Sequence, residues 1–470
     1  MDVKEATRTI QSKLDDSGWF DDVTHAELRD ISGVFRDLSG HDARQVYDQL
    51  KADGKLDKWV EEMNSDGWFG TGGLSASEKT DLFNTLASKL SGAQLADFST
   101  HLSPEDVIAL GKSVASHADA NTATDYVKAM APQTTAAPSA RNDSSPGHAN
   151  LGLENPAARA VGEVLASLPP AAFGAAINGL RNDQLAAVMK TAAGMTIGSP
   201  AIDTSTNGMP SGQAIDYDPR LLTQILDNAA KSGDALAQAR TFEAASTQLK
   251  TMQEDVNFPM TYTDQGNDLR AVADAMTRLL KSNPTGIMSQ FESTLDRYGT
   301  SLVPYTSEMV AQGRGNDLRD IIVGLRNGPG SGDPSSMYAV LEAKDANGES
   351  YHPNAQTLGY FVGAVQVGMS QHAGGAKADG ELLKTIFGTA SGAIGAANPA
   401  AGVFAAVLGG TYVVASDEIA QSVADGNTDA KDALRTMAYP HDAKGKPYNG
   451  AAEAEYDSAM DRVINANRDD

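Results

Sequence analysis

The chain contains no cysteine. That absence excludes a disulfide framework, a thiolate metal site and a cysteine nucleophile. In so long a chain it fits a protein that leaves the cell. Aromatic residues are scarce at 6% of the sequence, so alanine and glycine fill the apolar quota and favour close-packed helices over thick β-sandwich cores. Positive charge is also short, with 37 Lys and Arg against 61 Asp and Glu. The resulting net charge of -24 argues against a nucleic-acid partner, because phosphate binding needs clustered Lys and Arg. It disfavours docking on anionic lipid at neutral pH as well, and its simplest consequence is solubility. The opening residues Met1-Asp2-Val3-Lys4-Glu5-Ala6 carry charge at once and lack an apolar core, so they do not read as a cleavable secretory signal.

Familiar catalytic signatures are absent too. The eight histidines are scattered, and none forms a His-x-x-x-His or His-Glu-x-x-His pair, so no helix-borne metal pair and no cofactor are expected. There is no Gly-x-Ser-x-Gly elbow and no dinucleotide fingerprint, and strand signals are few. The glycines of Gly328-Pro329-Gly330-Ser331-Gly332-Asp333-Pro334 lack the Lys-Ser/Thr end of a phosphate loop and read as a surface linker. Carboxylates such as Glu292, Asp296, Glu308 and Glu342 are plentiful, but a glycosidase pair depends on a separation that spacing along the chain cannot give.

What the sequence does contain is helix punctuation. Thr24-His25-Ala26-Glu27 is a capping box, in which hydroxyl and carboxylate each satisfy the other residue's backbone N–H. Behind it Leu28, Ile31, Val34, Phe35 and Leu38 fall at helical spacing, with Gly40 as the expected stop. Helices carrying Val46, Tyr47 and Leu50, then Leu56, Trp59, Val60 and Met63, complete a unit that recurs. Asp66-Gly67-Trp68-Phe69 repeats Ser17-Gly18-Trp19-Phe20, and Ser75-Ala76-Ser77-Glu78 repeats the box. At one constant offset Ile31, Phe35 and Tyr47 match Leu82, Leu86 and Phe98. A partial copy aligns Leu95, Leu102, Val107 and Leu110 with Phe173, Leu180, Leu185 and Val188, which predicts a short helical array.

The string Gly18-Trp19-Phe20, Val23-Thr24, Glu27 and Asp53-Gly54-Lys55-Leu56 resembles the N-terminal helical region of bacterial type VI secretion effectors, muramidase-type toxins among them. The resemblance covers roughly the first sixty residues. It implies a protein made in the bacterial cytoplasm, secreted without a cleavable signal peptide and delivered to other cells, with a secretion-machine component or an immunity protein as partner. It carries no catalytic residue over.

Composition divides the chain into a capped-helix repeat domain over 1–131, a Pro-, Ser- and Thr-rich linker over 132–150 and a helical region over 151–470, with a possible inner boundary at 195–217. The last region holds two uncharged runs, Ser350–Ala376 and Thr385–Ser416. Asn398-Pro399 breaks the second into halves, of which the first is too short to cross a bilayer core of about 30 Å. Gly359-x-x-x-Gly363 and Gly388-x-x-x-Gly392 permit close helix approach in water or in lipid.

The expected fold is therefore all-α, a helical repeat followed by a larger bundle around a Gly/Ala-rich hairpin shaped by Gly388, Gly392, Pro399, Gly402, Phe404 and Leu408. The hairpin resembles the uncharged hairpin of pore-forming colicins, which implies possible insertion into a target membrane. A plain buried core fits the same residues. His352 and Glu342 are the polar candidates, His352 because it opens the first run between Tyr351 and Pro353, where capping or packing would also explain it. The functional expectation is a secreted effector acting on membranes. The alternatives are a cell-wall hydrolase effector and a non-enzymatic adaptor that binds proteins.

Overall fold

The computed structural model describes residues 1–15, 23–65, 73–136, 155–197, 215–256, 265–294, 298–328, 338–372, 375–387, 429–439, 447 and 449–467. Among them are 21 α-helices and two minimal strand pairs, an all-α fold. Internal packing divides the chain into two compact units, Met1–Asn228 and Ala229–Asp470. The polar stretch 132–150 and the segment 195–217 thus fall inside the first unit rather than at its edge. Both Gly-Trp-Phe turns and the hairpin residues Gly388, Gly392, Pro399, Gly402, Phe404 and Leu408 lie outside the described residues.

The first unit contains α1 (Val3–Asp15), α2 (His25–Asp37), α3 (Gly40–Ala52), α4 (Leu56–Asn64), α5 (Ala76–Lys89), α6 (Gly92–Ser99), α7 (Pro104–His117), α8 (Ala120–Met130), α9 (Pro156–Ser167), α10 (Pro170–Gly179), α11 (Asn182–Ala192) and most of α12 (Arg220–Ser232). From α5 to α11 each helix packs on the one two further along: α5 on α7, α7 on α9 and α9 on α11 form one layer, and α6 on α8 and α8 on α10 form the other. Within each layer one glycine brings two helices close. A Cβ on Gly92 would lie 2.3 Å from the Tyr126 amide nitrogen, and one on Gly111 2.6 Å from the Ala160 Cβ.

Both capping boxes form as their residues require, Thr24 with Glu27 and Ser75 with Glu78. Successive helices are joined by two extended residues, an apolar one that ends a helix and a cap that starts the next. Leu38-Ser39, Leu90-Ser91, Ala118-Asp119 and Leu180-Arg181 are examples. Gly40 is therefore not a stop but the first residue of α3, because the Ser39 hydroxyl accepts the Asp42 amide and restarts the helix at once. The repeat register changes with it. α5 has 14 residues to the 13 of α2, so Ser39 and Gly40 match Ser91 and Gly92, and Phe98 matches Val46 rather than Tyr47. A tighter repeat follows: one shift carries Ser75, Leu82, Leu86, Ser91 and Phe98 onto Ser103, Leu110, Val114, Asp119 and Tyr126.

Aromatic rings fill the first core. Trp59 stacks on Phe35 at 5.3 Å with the planes 1° apart, and lies 5.4 Å from Phe98, which also meets Tyr47 and Phe83 edge-on. Carbonyls left over at helix ends are taken by side chains from elsewhere. Lys89 donates to the Leu38 carbonyl, and the Asn228 amide donates to Leu165 and Leu168 at 2.8 Å each. Asn155 does both jobs: its Oδ1 caps α9 at the Ala158 amide, and its Nδ2 donates to the carbonyls of Gln133, Thr134 and Ala136 at 3.0 Å. The two ends of the segment 137–154 are thereby held together by one side chain. Asn155→Ala removes a cap and leaves three carbonyls short of a donor, so it is expected to destabilise the first unit by about 1–3 kcal/mol in denaturant titration. The strands β1 (Thr196–Ile197) and β2 (Ile215–Asp216) pair antiparallel and bring together the chain on either side of 198–214.

In the second unit α13 (Ala235–Val256), α14 (Gln265–Ser282), α15 (Pro284–Thr294), α16 (Tyr298–Ala311) and α17 (Gly315–Asn327) precede a small hairpin of β3 (Ala343–Lys344) and β4 (Ser350–Tyr351). Then come α18 (Pro353–Gln371), α19 (Gly375–Phe387), α20 (Ala430–Ala438) and α21 (Gly450–Ala466). The centre of this unit is α18, the first uncharged run, in contact with α15, α16, α17, α20 and α21. Every residue from Thr357 to Met369 is buried.

Candidate functional site

Proline at the first helical position and the chain's emergence from β4 set where α18 begins. That leaves His352 at its N-cap, a position at which the imidazole makes no cap of its own. The cap comes instead from α21. Glu455 Oε2 accepts the His352 backbone N–H at 2.7 Å and the Gln356 side-chain amide at 2.8 Å, while Oε1 accepts from His352 Nδ1 at 2.9 Å. A carboxylate at this place also meets the positive end of the helix dipole. Asn449, the N-cap of α21, accepts the amides of Ala451 and Ala452 through Oδ1 and donates from Nδ2 to His352 Nε2 at 3.0 Å. The pairing fixes the tautomer, with the proton on Nδ1 and Nε2 as acceptor.

His352 is only 4% exposed, and both ring nitrogens are occupied. In this arrangement it offers neither a free base nor a free metal ligand. Glu342 is not brought to it: that carboxylate is exposed beside β3, where the Ser350 hydroxyl donates to it across the small hairpin. No group of three or more His, Asp or Glu among the described residues is placed to hold a metal ion. What the site can do is mechanical, since it pins the start of α18 to the start of α21.

Burial pushes the Glu455 carboxyl up, but hydrogen bonds from the His352 ring and backbone and from Gln356 outweigh it and hold the group below its ordinary 4.5. Behind it, Arg435 of α20 lies 2.8 Å from Asp457 and 2.5 Å from Asp461. The Tyr439 hydroxyl donates to the Asn449 carbonyl at 2.9 Å, and that of Tyr456 to the Arg435 carbonyl at 3.2 Å.

Beyond this end, α18 is held by close backbone contact. A Cβ on Gly359 would lie 2.2 Å from the Tyr456 carbonyl oxygen, one on Gly363 2.9 Å from that of Met460, and one on Gly368 3.0 Å from Ser307 Cα. On the α16 side the Thr306 hydroxyl donates to the Ala364 carbonyl at 2.8 Å. No helix among the described residues is long and apolar enough to cross a membrane.

His352 was visible in the sequence as the histidine near the start of the uncharged run. Its partners Glu455 and Asn449, about a hundred residues on, were not, and the one local signal was the Asn449-Gly450 helix start. Comparison of the chain with protein-family models, with curated proteins and with solved structures finds no match.

Proposed function

We propose that this chain is an exported bacterial effector that acts on a target membrane through the uncharged helical run beginning at α18, with the surrounding helices as its soluble cover. The observation that supports this reading is the enclosure of α18, a 19-residue helix without a charge, by the helices packed around it. At a rise of about 1.5 Å per residue it is about 28 Å long, close to the thickness of a bilayer core. Its hydropathy is too low for a lone span, so insertion requires a pair of arms or a water-lined assembly. The helix is patterned for that. At 100° per residue Gln356, Gly359, Gly363 and Gln366 share one stripe, and Leu358, Phe361 and Val365 the opposite face. In lipid the first stripe would meet a partner helix or water, and the second acyl chains.

The test is release of dye from liposomes across a pH series. Leakage should rise as acid titrates the carboxylates behind the charge of -24, and none at any pH would sink the membrane reading. This reading brings a protein partner with it, a component of the secretion machine or an immunity protein. A second reading has its own support: stacked helices with short connectors form the kind of extended surface on which repeat proteins bind others, so the first unit would serve as an adaptor. Stable capture of a secretion-machine protein without leakage would favour it. A cell-wall hydrolase draws no support from His352 or Glu342 as they are placed.

A further inference from the structure

We propose that Glu455 and Asn449 form an acid-sensitive latch on the start of α18, and that its opening is the first step in uncovering the helix. The proposal rests on the membrane reading of α18, but its test needs no membrane. Side-chain ties bind α18 and its N-cap to the surrounding elements. They run from Glu455 to His352 and Gln356, from Asn449 to His352, from Arg462 to the Tyr360 hydroxyl, from Thr306 to the Ala364 carbonyl, from Ser307 to Gln371, and from Asn354 to the Tyr338 carbonyl. Among these ties, those made by Glu455 depend on a carboxylate held below its ordinary value. Because α18 itself has no charge, proton uptake at Glu455 acts on its enclosure at the N-cap end.

The titratable and charged groups around the latch separate the effect. His352 faces Glu455 directly. Glu453 and Asp457 flank it on α21, Arg435 and Tyr439 approach from α20 and the residue after it, Tyr338 lies in the turn before β3, and α16 carries Glu308, which is engaged by Gln253 and Gln312 instead. A carboxylate held below its ordinary value contributes stability that is complete above that value and is lost as pH falls through the lowered one. Glu455 is in that position. Asp457 is not, because burial pushes its carboxyl up against the pull of Arg435 and with the push of Glu453 and Asp461, so acid does not weaken the fold through it. Acid therefore weakens the hold of Glu455 on His352 and Gln356, while Asp457 takes nothing from the stability of the fold as it protonates.

The absence of cysteine makes the test direct, since any thiol introduced is the only one. Val362→Cys places it on buried α18, and Val114→Cys places a control in the core of the first unit. Labelling uses a pyridyl disulfide, which reacts with thiols in acid. With each rate divided by that of a small free thiol at the same pH, the Val362→Cys thiol should label about two- to fourfold faster near pH 4 than near pH 7 while the Val114→Cys thiol stays protected, and adding Glu455→Gln should make labelling fast already near pH 7. If Glu455→Gln loses helical circular dichroism, Asn449→Ser, which keeps a cap on α21 but loses the donor to His352, carries the test with the same direction expected. Equal labelling with and without the latch substitution at every pH, or simultaneous labelling of the Val114→Cys thiol, overturns the proposal. Liposome leakage does not enter this readout, so the latch and the membrane reading fail separately.

Discussion

Replacing Gly359 with alanine should destabilise the second unit by about 3 kcal/mol, although the same change in an open helix stabilises by up to about 1 kcal/mol. The sign reverses because of one contact. The new methyl would sit 2.2 Å from the Tyr456 carbonyl oxygen, an atom of the α21 backbone that no side-chain rotation can move. Relief requires α18 and α21 to separate, and their separation opens voids between Gly363 and Met460 and around Ala459. Gly33 in α2 is the internal control, since a Cβ added there would meet nothing within 4 Å and Gly33→Ala should gain stability. Thermal unfolding of the two variants beside the parent reads both signs. A neutral Gly359→Ala would mean that α18 is held less closely than its enclosure implies.

Trp59→Ala should cost the first unit about 3–5 kcal/mol in denaturant titration, the range for deleting a large buried aromatic. The ring is wholly buried and joins two parts of the core, stacked on Phe35 of α2 and tilted against Phe98 of α6. Removing it leaves both rings facing a cavity. Trp59→Phe should cost far less, about 1 kcal/mol, because the Trp59 Nε1 proton has no acceptor among the described residues and its loss offsets part of the lost area. A Phe variant as damaging as the Ala variant would show that the indole N–H, and not the ring area, matters.

Much of the fold was legible because its signals are local. Thr24 with Glu27 and Ser75 with Glu78 are three residues apart, so the chemistry of each helix start is written in one turn. The apolar faces of α2 and α4 followed from spacing alone and are buried as read. Gly40 misled because glycine after an apolar run usually ends a helix, and here the signal that mattered was the preceding Ser39. The register of Phe98 was missed because one extra residue in α5 leaves hydrophobic spacing nearly intact while turning every later side chain. The candidate site was least legible. Composition marked the uncharged run and its first histidine, but the Glu455 carboxylate that meets it comes from another helix, and an acid on an amphipathic helix reads as solvated until the partner is placed beside it.

The two-residue connectors have a consequence for how the first unit can change. Each gives the chain no slack, so the phase of one helix is handed directly to the next. A single residue added inside a helix turns everything downstream by about 100°, and the array must then re-aim every later face or fail. The extra residue of α5 relative to α2 marks where one such step has been absorbed. Length is free to vary where a side chain, rather than a shared connector, joins the ends. Asn155, with three carbonyls before the segment and one amide after it, makes the interval 137–154 such a place.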